Sequence, residues 1–329
     1  MDSKEEIKQI LKNIPLRISI TDYCNLNCFF CSNEGMDLNQ RNFSNSDFKN
    51  VLYLLKTLRK NGLENISITG GDPMCYPKLD ALLKQINLLN FKKTFFHTNG
   101  VALNSNLIRG ELKKFTKVAI SIHTLNIEEW KKMTSGNESQ FNQLLENLKL
   151  LSKENYGNKV EIKIVPIKEF NYSKKSIKEV LNFCNKNNFK FKLLIFEPIK
   201  KEHISLIAKI DSIKKILTDI GAKELDKEKS FRNQMDYLPI NNYKYKNTEG
   251  VLIEIGCGNP EVCKFCSDSN EIFITPNLEI KPCHMSSFTI DLKKAISEKD
   301  EEKILNLIVE SRNFLSSSPG KNKIFWSQQ

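Results

Sequence analysis

The chain has 329 residues, of which 40% are apolar and 27% charged, with 13 Gly and 10 Pro, so collagen-like and wholly disordered classes are excluded and a sizeable core is affordable. No apolar run approaches the roughly 20 residues of a bilayer span, and Met1-Asp2-Ser3-Lys4-Glu5-Glu6 opens without an apolar signal segment, so a cytoplasmic protein with no membrane partner is expected. The formal charge of +11 comes from scattered Lys and Arg; that pattern reads as a solvated surface with no nucleic-acid partner, although a basic interior would suit a phosphorylated small molecule.

The first predicted strand is Leu16–Thr21. Directly after it comes Asp22-Tyr23-Cys24-Asn25-Leu26-Asn27-Cys28-Phe29-Phe30-Cys31. Three thiols within eight residues converge on one centre only if the loop wraps it. Zinc would want a fourth ligand, and none lies nearby in sequence. A [4Fe–4S] cluster held by three Cys leaves one iron open. From spacing alone both metals stay open.

A helical pattern at Phe48–Leu55 leads to a Gly62 stop. The second strand, Asn65–Thr69, ends in Thr69-Gly70-Gly71-Asp72-Pro73, where two glycines permit close backbone approach and a carboxylate is able to accept from an ammonium. The third, Lys93–Thr98, ends in His97-Thr98-Asn99-Gly100; the fourth, Lys117–His123, carries Ser121-Ile122-His123. His97 and His123 are strand-end groups suited either to acid–base work or to plain structural bonding. Val160–Ile167, a helix over Ser173–Asn185 and Phe191–Pro198 complete six βα units. These imply a parallel sheet, either an open partial barrel or a doubly wound sheet, with function at the C-terminal strand ends.

A further helix is expected over Ile204–Ile220, then a polar linker or extended segment over 221–250. Short strands at Val251–Ile255, Glu271–Thr275 and Glu279–Lys281 follow, with a turn at Pro276-Asn277, and then a final helix over Leu292–Phe314. Among these pieces lie Cys257, Cys263, Cys266 and Cys283. On their own they suit zinc or iron–sulfur. The remaining two of the nine cysteines, Cys75 and Cys184, read as small buried hydrophobes. Thiol pairs of the secreted disulfide kind are not expected in a chain of this length without a leader.

The C-x3-C-x2-C spacing with Phe30 before the last Cys resembles the signature of the radical S-adenosylmethionine (SAM) superfamily. Gly70-Gly71-Asp72-Pro73 is similar to that family's GGEP motif, with Asp for Glu, and His97-Thr98-Asn99-Gly100 is similar to its TTNG. The resemblance implies a partial (β/α)6 TIM-like barrel over 1–220 and a C-terminal auxiliary-cluster region over 221–329. It implies that Cys24, Cys28 and Cys31 hold a [4Fe–4S] cluster. It further implies that Tyr23, Phe30, Gly70, Gly71, Asp72, Thr98, Asn99 and Ser121 lie near SAM. A second, auxiliary [4Fe–4S] cluster would then use Cys263, Cys266 and Cys283. Cys257 is either its fourth ligand, as in Twitch or SPASM-type domains, or a bystander. The expected partners are a small-molecule or peptide substrate and a flavodoxin- or ferredoxin-like reductant.

Over roughly residues 14–285 the chain resembles one branch, the GTP 3′,8-cyclases of molybdenum cofactor biosynthesis. It departs from them in three places. Ser267–Phe273 lacks the arginines that the branch uses for GTP, Lys192 stands for an Arg, and the chain ends in Gln328-Gln329 instead of Gly-Gly. Lys cannot form the bidentate fork of Arg. The expected activity is therefore radical SAM chemistry on a substrate other than GTP. The alternatives are the GTP cyclase itself, and a non-enzymatic metal-binding or electron-transfer protein.

Overall fold

The structure is a computed structural model and describes residues 3–31, 44–198, 200–225, 240–253, 271–282 and 288–317. After helix α1 (Ser3–Asn13), strands β1 (Pro15–Ser19), β2 (Asn65–Thr69), β3 (Lys93–Thr98), β4 (Lys117–Ser121), β5 (Val160–Ile164) and β6 (Lys190–Leu194) form in the expected order. Between them run α2 (Phe48–Lys60), α3 (Leu79–Leu89), α4 (Ser105–Arg109), α5 (Ile127–Thr134), α6 (Glu138–Lys153) and α7 (Lys174–Asn187). Their boundaries have chemical causes. Asp47, Asn126 and Ser173 accept backbone N–H bonds as N-caps, Asn137 and Gln140 make a reciprocal capping box, and Gly62 at φ +108° follows the end of α2.

Strands β1 to β6 lie side by side in sequence order, every pair parallel. A doubly wound sheet needs a reversal of strand order, which is absent here. The topology is that of an open partial barrel. Alternate residues divide the strands: Leu16, Ile18, Ile66, Ile68, Val118, Ile120, Val160, Ile162, Phe191 and Leu193 are fully buried in one apolar core with the helices. Each such side chain contributes about 1.5–3 kcal/mol. The intervening positions, among them Arg17, Ser67, His97, Lys163 and Lys192, are polar and interact with one another, as described below.

Later segments differ from the sequence reading. The span read as a linker or extended segment holds β7 (Lys223–Leu225), β8 (Ile240–Tyr245) and the start of β9 (Thr248–Ile253), which takes in part of the strand expected at Val251–Ile255; β8 and β9 make a hairpin, and β9 adds in parallel to β6. Tyr243 and Tyr245 are buried there, which a Lys- and Asn-rich composition conceals. At the other edge β10 (Ile272–Ile274) pairs in parallel with β1, followed by antiparallel β11 (Glu279–Lys281) and β12 (Ile290–Asp291). The helix expected from Ile204 is a 3-10 turn, Lys201–Leu206, and then α8 (Ile210–Asp219). The final helix is two, α9 (Lys293–Ser297) and α10 (Glu301–Ser317), because Lys299 turns to φ +55° and Asp300 accepts from the Lys303 N–H. No described helix is long and apolar enough to cross a membrane.

Candidate active site

The cysteine loop leaves β1 at the C-terminal end of the sheet and is pinned from two sides. On one side the corner between α5 and α6 holds it: Asn27 N–H and Phe29 N–H donate to the Thr134 and Met133 carbonyls, and Gln140 Nε2 donates to the Asn25 carbonyl. On the other side the turn after β2 docks into it. Gly71 N–H donates to Thr21 O and Asp72 N–H to Tyr23 O, both at 2.8 Å. A Cβ on Gly71 would stand 2.5 Å from the carbonyl oxygens of Asp22 and Tyr23, and one on Gly70 2.5 Å from that of Thr21. The close approach that the two glycines permit is therefore taken up by the chain's own backbone, and it sets where the thiols stand.

Asp72, only 1% exposed, lies beneath this junction. Its carboxylate accepts from Thr98 Oγ1 at 2.9 and 3.0 Å, from Asn99 N at 2.7 Å and from Met74 N at 2.9 Å. Burial lifts its pKa to about 6 against the pull of those donors. Asn99 in turn donates from Nδ2 to Asn25 Oδ1 at 2.7 Å and lies 3.6 Å from Cys24 Sγ. Asp72, Thr98, Asn99 and Cys24 thus form one connected group, drawn from β1, β2 and β3 ends as the six-unit reading requires.

Burial, then the Asp72 charge, pushes the Cys24 thiol up to about 12; burial, then Cys31 and Cys24, raises Cys28 well above the ordinary thiol range. The three thiols therefore act on one another across a shared space. Three thiolates on one wrapped loop are the donor set for a cluster with one open iron. Cys24, Cys28 and Cys31 are the residues that would hold such a group, and their soft thiol donors fit an iron–sulfur cluster.

Below the loop, the interior of the sheet is charged. Arg17 pairs with Glu271 at 3.1 Å and Lys117 with Glu161 at 2.8 Å. His97 bridges Ser67 Oγ, at 2.6 Å from Nε2, and Lys163 Nζ on Nδ1. Burial, then Lys163, Arg17, Lys192 and Lys117, holds its imidazole neutral, far below the usual range. His97 is thus a bonded part of the floor. Above it, Phe29 packs against Phe170 and His203, and Phe30 stands edge-on to His123 at 4.7 Å. Phe29, Phe30 and Phe170, with Met133, Ile167, Phe196 and Leu206, make a second apolar cluster beside the cysteine loop.

The radical SAM superfamily description matches residues 18–184. The chain belongs to the radical SAM superfamily. As a radical SAM enzyme it uses a [4Fe–4S] cluster and SAM, and the cysteine loop lies within the matched span. Among curated relatives, a GTP 3′,8-cyclase of Aliarcobacter butzleri is 26% identical over 95% of this chain and 92% of its own length. A probable GTP 3′,8-cyclase of Methanococcus aeolicus is 28% identical over 82% of this chain and 84% of its own. Among solved structures, Streptococcus suis SuiB bound to SAM aligns with TM-score 0.64 at 19% identity, over 95% of this chain and 71% of its own. SuiB bound to the precursor peptide SuiA gives 0.65 at 16%, over 96% of this chain and 69% of its own. The SuiB likeness is one of fold.

Within this radical SAM fold, Tyr23, Phe30, Asp72, Thr98, Asn99 and Ser121 all stand at C-terminal strand ends or in the cysteine loop. Tyr23 holds Asp72 through its carbonyl, while the residue itself is 41% exposed. Cys257, Cys263, Cys266 and Cys283 lie outside the described residues. Sequence reading missed Asn25, whose side chain links the cysteine loop to Asn99, and misplaced Cys75. Cys184 is fully buried as expected, but Cys75 is only half-buried, accepts from the Asn25 N–H and acts electrostatically on Cys24. No neighbour of Cys75 in sequence signals this, because its partners lie in the cysteine loop.

Proposed function

We propose that this radical SAM enzyme modifies a small molecule or peptide other than GTP, in a cofactor or natural-product biosynthetic pathway. Cys24, Cys28 and Cys31 hold the SAM-binding cluster. When bound, that cluster supplies the electron that cleaves SAM to the 5′-deoxyadenosyl radical, which abstracts hydrogen from substrate. The chain's own residues position and enclose the reactants. Asp72, ionised and fixed by Thr98 and Asn99, accepts the SAM ammonium beside Gly70 and Gly71. Tyr23, Thr98, Asn99 and Ser121 surround the rest, and Phe29 and Phe30 keep water from the chamber.

The observation that carries the departure from GTP is Lys192. It lies on the interior floor, acting on both His97 and Glu161, where the cyclase branch has a guanidinium. A flexible ammonium does not reproduce bidentate phosphate recognition.

Cys263, Cys266 and Cys283 hold a second, auxiliary [4Fe–4S] cluster, with residues 221–329 as the unit that carries it and 1–220 as the core. With Cys257 as a fourth ligand this cluster is closed and passes electrons. The electrons come from a flavodoxin- or ferredoxin-like protein in the cytoplasm. A second reading, the GTP 3′,8-cyclase itself, is favoured by the names of the curated relatives.

The test is 5′-deoxyadenosine release by anaerobically reconstituted, dithionite-reduced protein with SAM, with and without GTP. Slow release indifferent to GTP is expected. Strong stimulation by GTP, with rescue of a cyclase-deficient strain, would overturn the departure in favour of the second reading.

A further inference from the structure

Lys163 lies on the interior face of β5, with Ser121 of β4 as its lateral neighbour on one side and Lys192 of β6 on the other. These three residues are partly exposed, whereas Ile162 and Ile164 on the opposite face of the strand are buried. Ser121 is the last residue of β4, so Lys163 stands near the C-terminal end of the sheet, the end from which the cysteine loop leaves β1.

One hydrogen bond fixes its head group. Lys163 Nζ meets His97 Nδ1. Because a lysine ammonium has donors and no acceptor, Nδ1 is the acceptor, and the neutral ring keeps its proton on Nε2, 2.6 Å from Ser67 Oγ. The ring holds one N–H of Lys163 equally well in the ammonium and in the neutral amine. In the amine, the nitrogen lone pair is then directed away from the ring.

The surrounding charges favour the amine. Arg17, Lys192 and Lys117 act on the same imidazole as Lys163 does, and Lys190 lies beside Glu161 on β6. Two carboxylates temper them: Glu161, bonded to Lys117, and Glu271, bonded to Arg17. His123, the other imidazole on which Lys163 acts, is held neutral by burial and then by that charge. Lys163 and Lys192 stand side by side on adjacent strands, and their repulsion is released when one of them gives up its proton. A lysine beside another cation is the setting in which an amine becomes a nucleophile.

We propose that Lys163 is a catalytic nucleophile that binds an aldehyde or ketone substrate as an imine. Its nitrogen attacks the carbonyl carbon, and a C–N bond forms as the carbonyl π pair moves to oxygen. The two amine protons leave with that oxygen as water and the C=N bond remains, so no oxidant or reductant enters the step. One carbon of the substrate is thereby fixed beside Ser121, at the end of the interior that carries the cysteine loop. The assignment rests on the reading of a substrate other than GTP.

The experiment traps the imine in full-length, anaerobically cluster-loaded protein with acetaldehyde and cyanoborohydride at pH 7. Peptide mass spectrometry reads N-ethylation at each lysine. The probe is neutral, so attraction of an anion to the basic interior does not enter. Ethylation of Lys163 about tenfold faster than that of the exposed Lys49 is expected. Lys192→Gln, which removes the neighbouring cation, should slow Lys163 severalfold, and Lys192→Arg should hold it near the parent. Labelling of Lys163 no faster than that of Lys49, the behaviour of a lysine that stays an ammonium and only pairs with anions, overturns the proposal. So does labelling that ignores the charge at position 192. If a Lys192 variant fails to fold, the comparison with Lys49 in the parent decides. Trapping needs neither SAM nor electrons. Labelled Lys163 in protein whose 5′-deoxyadenosine release depends on GTP counts against the non-GTP reading alone. Unlabelled Lys163 in protein indifferent to GTP counts against this proposal alone.

Discussion

Thr98 gives one hydroxyl proton to a carboxylate, Asp72, whose two oxygens it approaches at 3.0 and 2.9 Å, on the far side of a 26-residue loop. The pair joins the end of β3 to the turn after β2, and that turn carries the cysteine loop. Removing the hydroxyl therefore acts on charge as well as on shape.

Asp72 has its pKa raised by burial to about 6. Below that value the carboxyl is neutral and offers an ammonium nothing, so SAM affinity should rise as pH rises through about 6 and level off above 7. Thr98→Val removes a donor that favours the ionised form, which should move the midpoint upward. SAM dialysis between pH 5.5 and 7.5 reads both. For folding the sign is opposite. A carboxyl raised above its ordinary value of 3.8 makes the folded state bind the extra proton between about 4 and 6, so Asp72 weakens stability as pH rises across that window.

Gly71→Ala should displace the cysteine loop, because the new methyl meets backbone of Asp22 and Tyr23, which has no rotamer with which to yield. A loss of about 2–3 kcal/mol is expected, in the range of overpacked sites. Iron content after reconstitution should fall in parallel, and a urea midpoint with an iron assay checks the two together.

Cys28→Ala should abolish 5′-deoxyadenosine formation. Cys184→Ala, which empties a small volume behind α7, should cost about 1 kcal/mol and leave that formation intact. Retained SAM cleavage in the Cys28 variant would remove the cluster assignment.

Glu161 is pushed up by burial but pulled down more strongly by Lys117 and Lys192, to about 2. Its contribution to stability is present above about 4.5 and is lost as pH falls toward 2. Glu161→Gln leaves the Lys117 ammonium without its carboxylate inside the sheet, and a loss of about 2–3 kcal/mol at pH 7 is expected. Urea unfolding at pH 7 measures it.

The six central strands and the three strand-end motifs were legible because each is written locally, as a β-branched run ending in a Gly or polar turn. Hidden features were those made by partners distant in sequence. The His97 bonds to Ser67 and Lys163 span 30 and 66 residues. The β8–β9 hairpin buries Tyr243 and Tyr245 by satisfying their hydroxyls on Glu224 and Asn182, so polar composition there disguised a strand. Cys75 was read as core because nothing near it in sequence announces that the Asn25 backbone and Cys24 lie across from it.

The parallel pairing of β10 with β1 has a consequence for how the protein is made. Leu16, Arg17 and Ile18 find their neighbours on that edge at Ile272, Phe273 and Ile274, so during synthesis the first strand waits with one row of amides and carbonyls unmatched until most of the chain has left the ribosome. The loop that bears Cys24, Cys28 and Cys31 springs from that same strand. The loop's own anchors, the Gly71–Asp72 turn and the corner between α5 and α6, are synthesised much earlier, so what stays open until β10 emerges is the edge of the strand and not the seat of the thiols, and that edge is the part that needs protection.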